Sequence, residues 1–397
     1  MTRRPSRREL LALAGSGAVV LAGCIGGGDD DAREEAESGP GDDSGGSQAE
    51  GNGNSADTDG STSSESNGEE SASTPDSEEY TLPLQEPTVP LQHSLDTFEQ
   101  NAVDGGPGKD GIPSIDDPTL GDAAAGDGMM DPGDPVFGVK IDDTARAYPQ
   151  HVLSYHEIVN DSVGGRNVAV TYCPLTGTAI GFDRGDVEFG VSGMLVSNNL
   201  IMYDRATDTW WPQILGVGVL GELTGMALQE LPVVWTTWDR WRDEHPDTQV
   251  LTEETGYARN YDRDPYGSYN PRDGYYDNDR NLFNNLHTDD RFHEKAVFIG
   301  ARSADGAIAF EKDHLRDEHL VGDSVGGVPY LAAYDGALDT AYVYRNPEEL
   351  SFQPTGEGYE GPDSQYAADE LPLSGVNAFD AMWFAWVGFY PETVVVA

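Results

Sequence analysis

Two cysteines occur in the 397-residue chain, Cys24 near the amino terminus and Cys173 far inside it. A thiol works as a nucleophile or metal ligand only as the thiolate, so it needs a base or a cation within reach. His156 is the candidate base for Cys173, with Glu157 or Asp204 to orient it. Cys173 ends an alternating apolar segment and precedes the turn Pro174-Leu175-Thr176-Gly177, a place where reactive groups are often presented. If the pair is catalytic, the thiol is expected to be partly exposed and its pKa to lie below about 8.5, lowered by His156 or Arg205. The alternative is a small buried residue beside a core histidine that has its own hydrogen bonds.

Metal chemistry has two candidate sources, Cys173 with His156 and a carboxylate, or the acid-rich stretch holding Asp273, Asp277, Asp279, Asp289 and Asp290. Asp277-Asn278-Asp279-Arg280-Asn281 starts like a calcium loop, but Leu282 stands where the turn glycine belongs and Thr288 where the bidentate glutamate belongs. Asp204, Arg205, Trp210, Trp211 and Gln213 bring an ion pair, two indoles and an amide together in sequence, a composition that suits a small-ligand pocket or, equally, core tryptophan packing. Gly-x-Ser-x-Gly, phosphate-loop, dinucleotide and His-Glu-x-x-His patterns do not occur, so the sequence names no cofactor.

The elements that must carry these residues read as strands. Residues 136–141 and 145–148 form two strands about a turn at Asp142-Asp143. Pro149 then opens a helix with Val152, Leu153, His156 and Val159 on one face. Val168, Val170 and Tyr172 alternate with Ala169, Thr171 and Cys173, and further strands follow at 178–182, 187–191, 194–196 and, after an Asn198-Asn199 turn, 200–203. A helix is expected from Thr237 to His245, stopped by Pro246. Sliding the chain by 162 positions aligns Asp161-Ser162-Val163-Gly164-Gly165 with Asp323-Ser324-Val325-Gly326-Gly327, within a longer match of 136–184 to 298–346. The expected fold is α+β and strand-dominated, with two related β-rich halves in one compact unit. A long loop at 257–291 joins them.

Charge separates three regions. Residues 1–24 are basic, with Arg7-Arg8 before a short apolar run and Leu21-Ala22-Gly23-Cys24 after it, a run too short to span a bilayer. The pattern resembles a twin-arginine signal with a lipobox that lipidates Cys24. Residues 25–79 are acidic, Gly/Ser-rich and without aromatics, as in a disordered stalk spanning roughly 40 Å. Residues 80–397 carry 53 acids against 18 bases. Self-repulsion at that density is relieved in molar salt, where the Debye length is roughly 3 Å, which points to a hypersaline habitat. The same scarcity of Lys and Arg excludes nucleic acid as a partner. The expected partner is the membrane, through lipid on Cys24, on the outer face of the cytoplasmic membrane.

His156-Glu157-Ile158-Val159-Asn160-Asp161, Val170-Thr171-Tyr172-Cys173-Pro174-Leu175-Thr176-Gly177-Thr178, Phe189-Gly190-Val191-Ser192-Gly193 and Met202-Tyr203-Asp204-Arg205 closely resemble the family called domain of unknown function 3179. Asp264-Pro265-Tyr266-Gly267 and Trp383-Phe384-Ala385-Trp386 fit the same pattern, and the resemblance covers about 90–397. With its amino terminus, the chain looks like a haloarchaeal-type exported lipoprotein of that family. The family pattern has a second cysteine where this chain has Thr176, so a Cys-x-x-Cys role does not carry over intact. The resemblance supplies no reaction. A surface ligand-binding or interaction module is the favoured expectation, with a thiol-dependent enzyme or thiolate-metal site at Cys173 as the alternative.

Overall fold

A computed structural model describes residues 81–397. The expected signal, Cys24 and the stalk lie outside the described residues. Among the described residues, no helix is long and apolar enough to cross a membrane.

Strands dominate, and the helices span only a turn or two. Pro135–Ile141 pairs with Thr144–Pro149, which runs directly into the one-turn helix Gln150–Leu153. The longer helix expected to carry His156 and Val159 is corrected by the structure. Glu157 turns the chain with a left-handed φ of 58°, and Val159 already belongs to the strand Ile158–Val163. The β-branched pair Ile158-Val159 favours the extended state over another helical turn.

Ile158–Val163 pairs with Arg166–Cys173, which pairs with Thr178–Asp183. Val168, Val170 and Tyr172 enter one apolar cluster with Phe137 and Leu153, whereas Ala169 and Cys173 enter another with Met202 and Trp211. The central strand is therefore covered on both faces. Its second cover is the hairpin Phe189–Val196 and Asn199–Asp204. The hairpin turns at Ser197 and Asn198, both left-handed with φ of 50° and 62°, so the turn sits one position before the Asn198-Asn199 expected.

Val234–Thr237 adds to Pro135–Ile141. The helix Trp238–Glu244 follows, and Gln249–Leu251 then runs parallel to Thr144–Pro149. Thr237 occupies the N-cap position, but its hydroxyl meets the Asp239 carboxylate instead of a backbone N–H.

The same plan recurs later in the chain. Shifted by 162 positions, the five strands and short helix of 135–183 coincide in their bounds with Val297–Ser303, Gly306–Glu311, Lys312–Glu318, Leu320–Val325, Val328–Asp335 and Thr340–Arg345, except that the second helix is longer. Pairing registers coincide as well: Val136 opposite Pro149 becomes Phe298 opposite Glu311, and Cys173 opposite Thr178 becomes Asp335 opposite Thr340. Ala378–Met382, Trp383–Phe389 and Val394–Val396 repeat the strand, helix and parallel strand at a shift of 145. A Cβ on Gly138 would lie 2.2 Å from the Trp241 ring, and one on Gly300 would lie 2.2 Å from the Trp386 ring. Each indole N–H donates to a threonine hydroxyl, Thr248 at 2.9 Å and Thr393 at 3.0 Å.

Residues 252–296 form the expected loop, with one short 3-10 turn, Gly274–Tyr276. This loop is not a mere linker, because Tyr261, Tyr275 and Tyr276 are buried in it.

Candidate functional site

The Cys173–His156 pair expected from the sequence does not assemble. The Cys173 thiol is 2% exposed, donates toward the Asn198 carbonyl at 3.5 Å and accepts from the Leu200 N–H at 3.4 Å. Burial, reinforced by the neighbouring Glu157 carboxyl, pushes its pKa up to about 11, away from the thiolate. His156 has other partners: Nδ1 meets the Pro113 carbonyl at 2.8 Å and Nε2 the Tyr261 hydroxyl at 2.6 Å. Burial lowers its pKa to about 4, so at neutral pH it is an uncharged core histidine. Glu157, next to it, is buried with no side-chain hydrogen bond among the described residues, and burial raises its carboxyl to about 8.

Of the Asp204 to Gln213 group, the structure brings Asp204 and Trp211 together and gives Arg205 and Gln213 partners elsewhere. Asp204 and Arg205 are not an ion pair. Asp204 is fully buried and accepts from the N–H groups of Ala206 and Thr207, the Thr207 hydroxyl and, at 3.0 Å, the Trp211 indole. It caps its own turn and anchors Trp211. Arg205 faces the other way, to Asp110 at 3.2 Å, the Tyr203 hydroxyl at 2.7 Å and Ser114 at 3.0 Å. Trp210 is half-buried and Trp211 wholly inside. Gln213 belongs to a buried network in which Thr178 donates to it at 2.6 Å and Asn199 at 2.9 Å, while its own amide donates to Thr171 at 2.9 Å. Thr176 joins the network through Thr178 and Asn199.

Among the described residues, no group of three or more His, Cys, Asp or Glu side chains is arranged to hold a metal ion. In the calcium-like stretch, Asp279 meets His293 at 2.7 Å, and the side-chain oxygen of Asn278 accepts from the Arg280 N–H at 2.9 Å.

Chemistry gathers instead where the first short helix faces the long loop. A cleft of about 320 Å³ is lined by Asp134, Gln150, His151, Glu253, Tyr261 and Asp264, among others. Gln150 is the first residue of the one-turn helix, and its amide donates to Asp264 at 2.7 Å. The Ser154 hydroxyl at 3.2 Å and the Tyr276 hydroxyl at 3.1 Å donate to the same carboxylate oxygen, and the Tyr266 N–H donates to the other oxygen at 2.8 Å. Asp264-Pro265-Tyr266-Gly267 thus forms a side-chain-closed turn. Gly267, at a φ of 122°, is required there, since a Cβ would come within 2.7 Å of the Asp273 backbone and side chain. Burial raises the Asp264 carboxyl above the ordinary range, with the Gln150, Tyr266, Tyr276 and Ser154 bonds opposing it. No cation lies within ion-pair distance of it among the described residues.

His151 meets Glu253 at 3.2 Å, yet burial outweighs that carboxylate and lowers the imidazole pKa. The Asp134 carboxyl is raised, again chiefly by burial. The cleft therefore presents carboxylates with no permanent positive charge among them. Sequence reasoning missed Gln150, His151 and Asp264 as a group. The available signals were the Asp264-Pro265-Tyr266-Gly267 motif and the 162-residue alignment, which sets Gln150 against a lysine.

The sequence model of a family described as Protein of unknown function (DUF3179) matches residues 109–393, and the chain belongs to that family. No curated protein and no solved structure matches the chain.

Proposed function

We propose that this DUF3179-family protein is an exported, membrane-tethered lipoprotein whose folded domain binds a small molecule bearing a protonated amine. The observation that carries the binding reading is Asp264. It is a half-buried carboxylate fixed by four donors and left without a cation, in a cleft that also holds Asp134 and Glu253. Fixing an acceptor in place while leaving its charge uncompensated prepares it for a cationic ligand group. A buried thiol held away from the thiolate, with its presumed base engaged elsewhere, gives the thiol-enzyme and thiolate-metal alternatives no support.

The test is ligand-dependent thermal stabilisation of the full-length protein by small primary amines, compared with Asp264→Asn. A shift that survives Asp264→Asn removes the reading.

Export and tethering are supported by Arg7-Arg8, the short apolar run and Leu21-Ala22-Gly23-Cys24. Cys24→Ser is expected to release the protein into the medium, and replacing Arg7 and Arg8 by lysine to stop export. Normal localisation of both variants, by fractionation, would discard this half of the proposal. Operation in high salt is supported by the 53 acids against 18 bases after residue 79.

A further inference from the structure

We infer that a second, larger cleft is a binding site for an oxyanion, a carboxylate or phosphate group. This inference goes beyond the amine reading and does not depend on it. The cleft encloses about 710 Å³, and Arg240, Arg272, Lys312 and Arg316 line it, four of the 18 bases that follow residue 79. Four carboxylates line it too, and three of them are paired with Lys312 or Arg316. Lys312 Nζ meets Asp380 at 2.7 Å with both side chains buried, and Arg316 forks onto Asp339 at 2.8 and 2.7 Å while also meeting Asp313 at 2.5 Å. Glu311 is the remaining one, half-buried and without an ion pair among the described residues.

Arg240 and Arg272 differ from the other two cations. Neither has a carboxylate within ion-pair distance among the described residues. Arg240 Nη1 donates to the carbonyls of Gly336 at 2.7 Å and Ala337 at 3.0 Å. Arg272 Nη1 donates to the Lys295 carbonyl at 2.9 Å and Nη2 to the Tyr269 hydroxyl at 3.3 Å, with its guanidinium 5.0 Å from the Tyr269 ring centre. Carbonyl anchoring fixes both side chains and leaves each positive charge uncompensated. Among the described residues, Arg240 Nε and Nη2 have no hydrogen-bond partner, and they form the fork that recognises a carboxylate or phosphate in two parallel hydrogen bonds. The Trp235 and Tyr269 rings line the same walls.

Equilibrium dialysis of the full-length protein in about 3 M KCl, with labelled inorganic phosphate in one arm and labelled acetate in the other, tests the site against a large chloride excess. Saturable binding of at least one anion is expected, and the arm that binds identifies the oxyanion. Arg240→Gln and Arg272→Gln should each weaken binding about 10-fold or more, and Arg240→Lys should retain more than Arg240→Gln. If Arg240→Gln misfolds by circular dichroism, the exposed Arg272 decides alone. Absence of saturable binding by both anions, or unchanged binding in Arg272→Gln, overturns the inference. An amine-binding failure with intact anion binding leaves it standing.

Discussion

The strand set of 135–183 and its counterpart at 297–345 share bounds and registers, yet equivalent positions carry different chemistry. What stays the same is packing: Gly138 and Gly300 admit Trp241 and Trp386, and Glu157 and His319 both take left-handed φ, 58° and 63°, at the same bend. What changes is charge at the short helices. Gln150, Ser154 and a neutral His151 stand where Lys312, Arg316 and Asp313 stand in the second set. The first set thus holds an acid, Asp264, with neutral donors, while the second surrounds its acids with cations. Burial differs as well. The hairpin Phe189–Val196 with Asn199–Asp204 covers Cys173, whereas its equivalent Asp335 is half-exposed and closes its own turn through the N–H groups of Ala337 and Leu338. A common backbone with divergent side chains separates what the fold needs from what the two clefts select.

The largest effect expected strikes both sets alike. Lowering salt from about 3 M to about 0.1 M unscreens the acid excess, and the melting temperature should fall steeply in a single transition. A melting point indifferent to salt contradicts the high-salt reading, and two separated transitions would mean that the halves do not share one cooperative unit.

Gly138→Ala and Gly300→Ala come next, each expected to cost about 1–3 kcal/mol in denaturant unfolding, because a Cβ would overlap an indole ring. Similar losses sharpen the equivalence of the two sets. A loss confined to one would break it.

The pair Glu157 and His319 separates them again. Glu157 has its folded-state pKa raised from 4.5 to about 8, so its contribution is fully present below about pH 4.5 and is lost as pH rises toward 8. Glu157→Gln should therefore gain up to about 3 kcal/mol relative to wild type by pH 7 and nothing near pH 4, measured as unfolding free energy against pH. His319, at the equivalent bend, is exposed, so no burial cost of this kind attaches to that position. In the same samples, Cys173 should resist alkylation at neutral pH until the domain unfolds. Rapid labelling of the folded state would restore the thiol chemistry set aside above.

Much of the scaffold was legible in the sequence because strand burial writes itself as alternation. Val168 to Cys173 sorted its residues between two clusters as the period of two required, and the glycine-bearing turns of the aligned stretches came out in register. The short helix was overextended because Val152, Leu153, His156 and Val159 satisfy a helical spacing that the bend at Glu157 interrupts. The candidate site was less legible. Cys173 and His156 are close in sequence pattern but hydrogen-bonded to different segments, around Asn198 and around Pro113 and Tyr261. Asp264 lies 114 positions from Gln150 in a loop without regular structure, and no periodicity links such residues.

If Asp264 is held ready for a cationic group, the full-length protein in high salt binds a small amine, as thermal shift and calorimetry measure. At a ligand concentration about a hundred times its dissociation constant, stabilisation of about 2.7 kcal/mol is predicted for an amine that fits. Binding should strengthen as pH rises through the elevated titration of Asp264, and Asp264→Asn should abolish it while preserving the fold. If no small amine stabilises the protein, or if Asp264→Asn binds as wild type does, Asp264 is not the carboxylate that receives a cationic ligand.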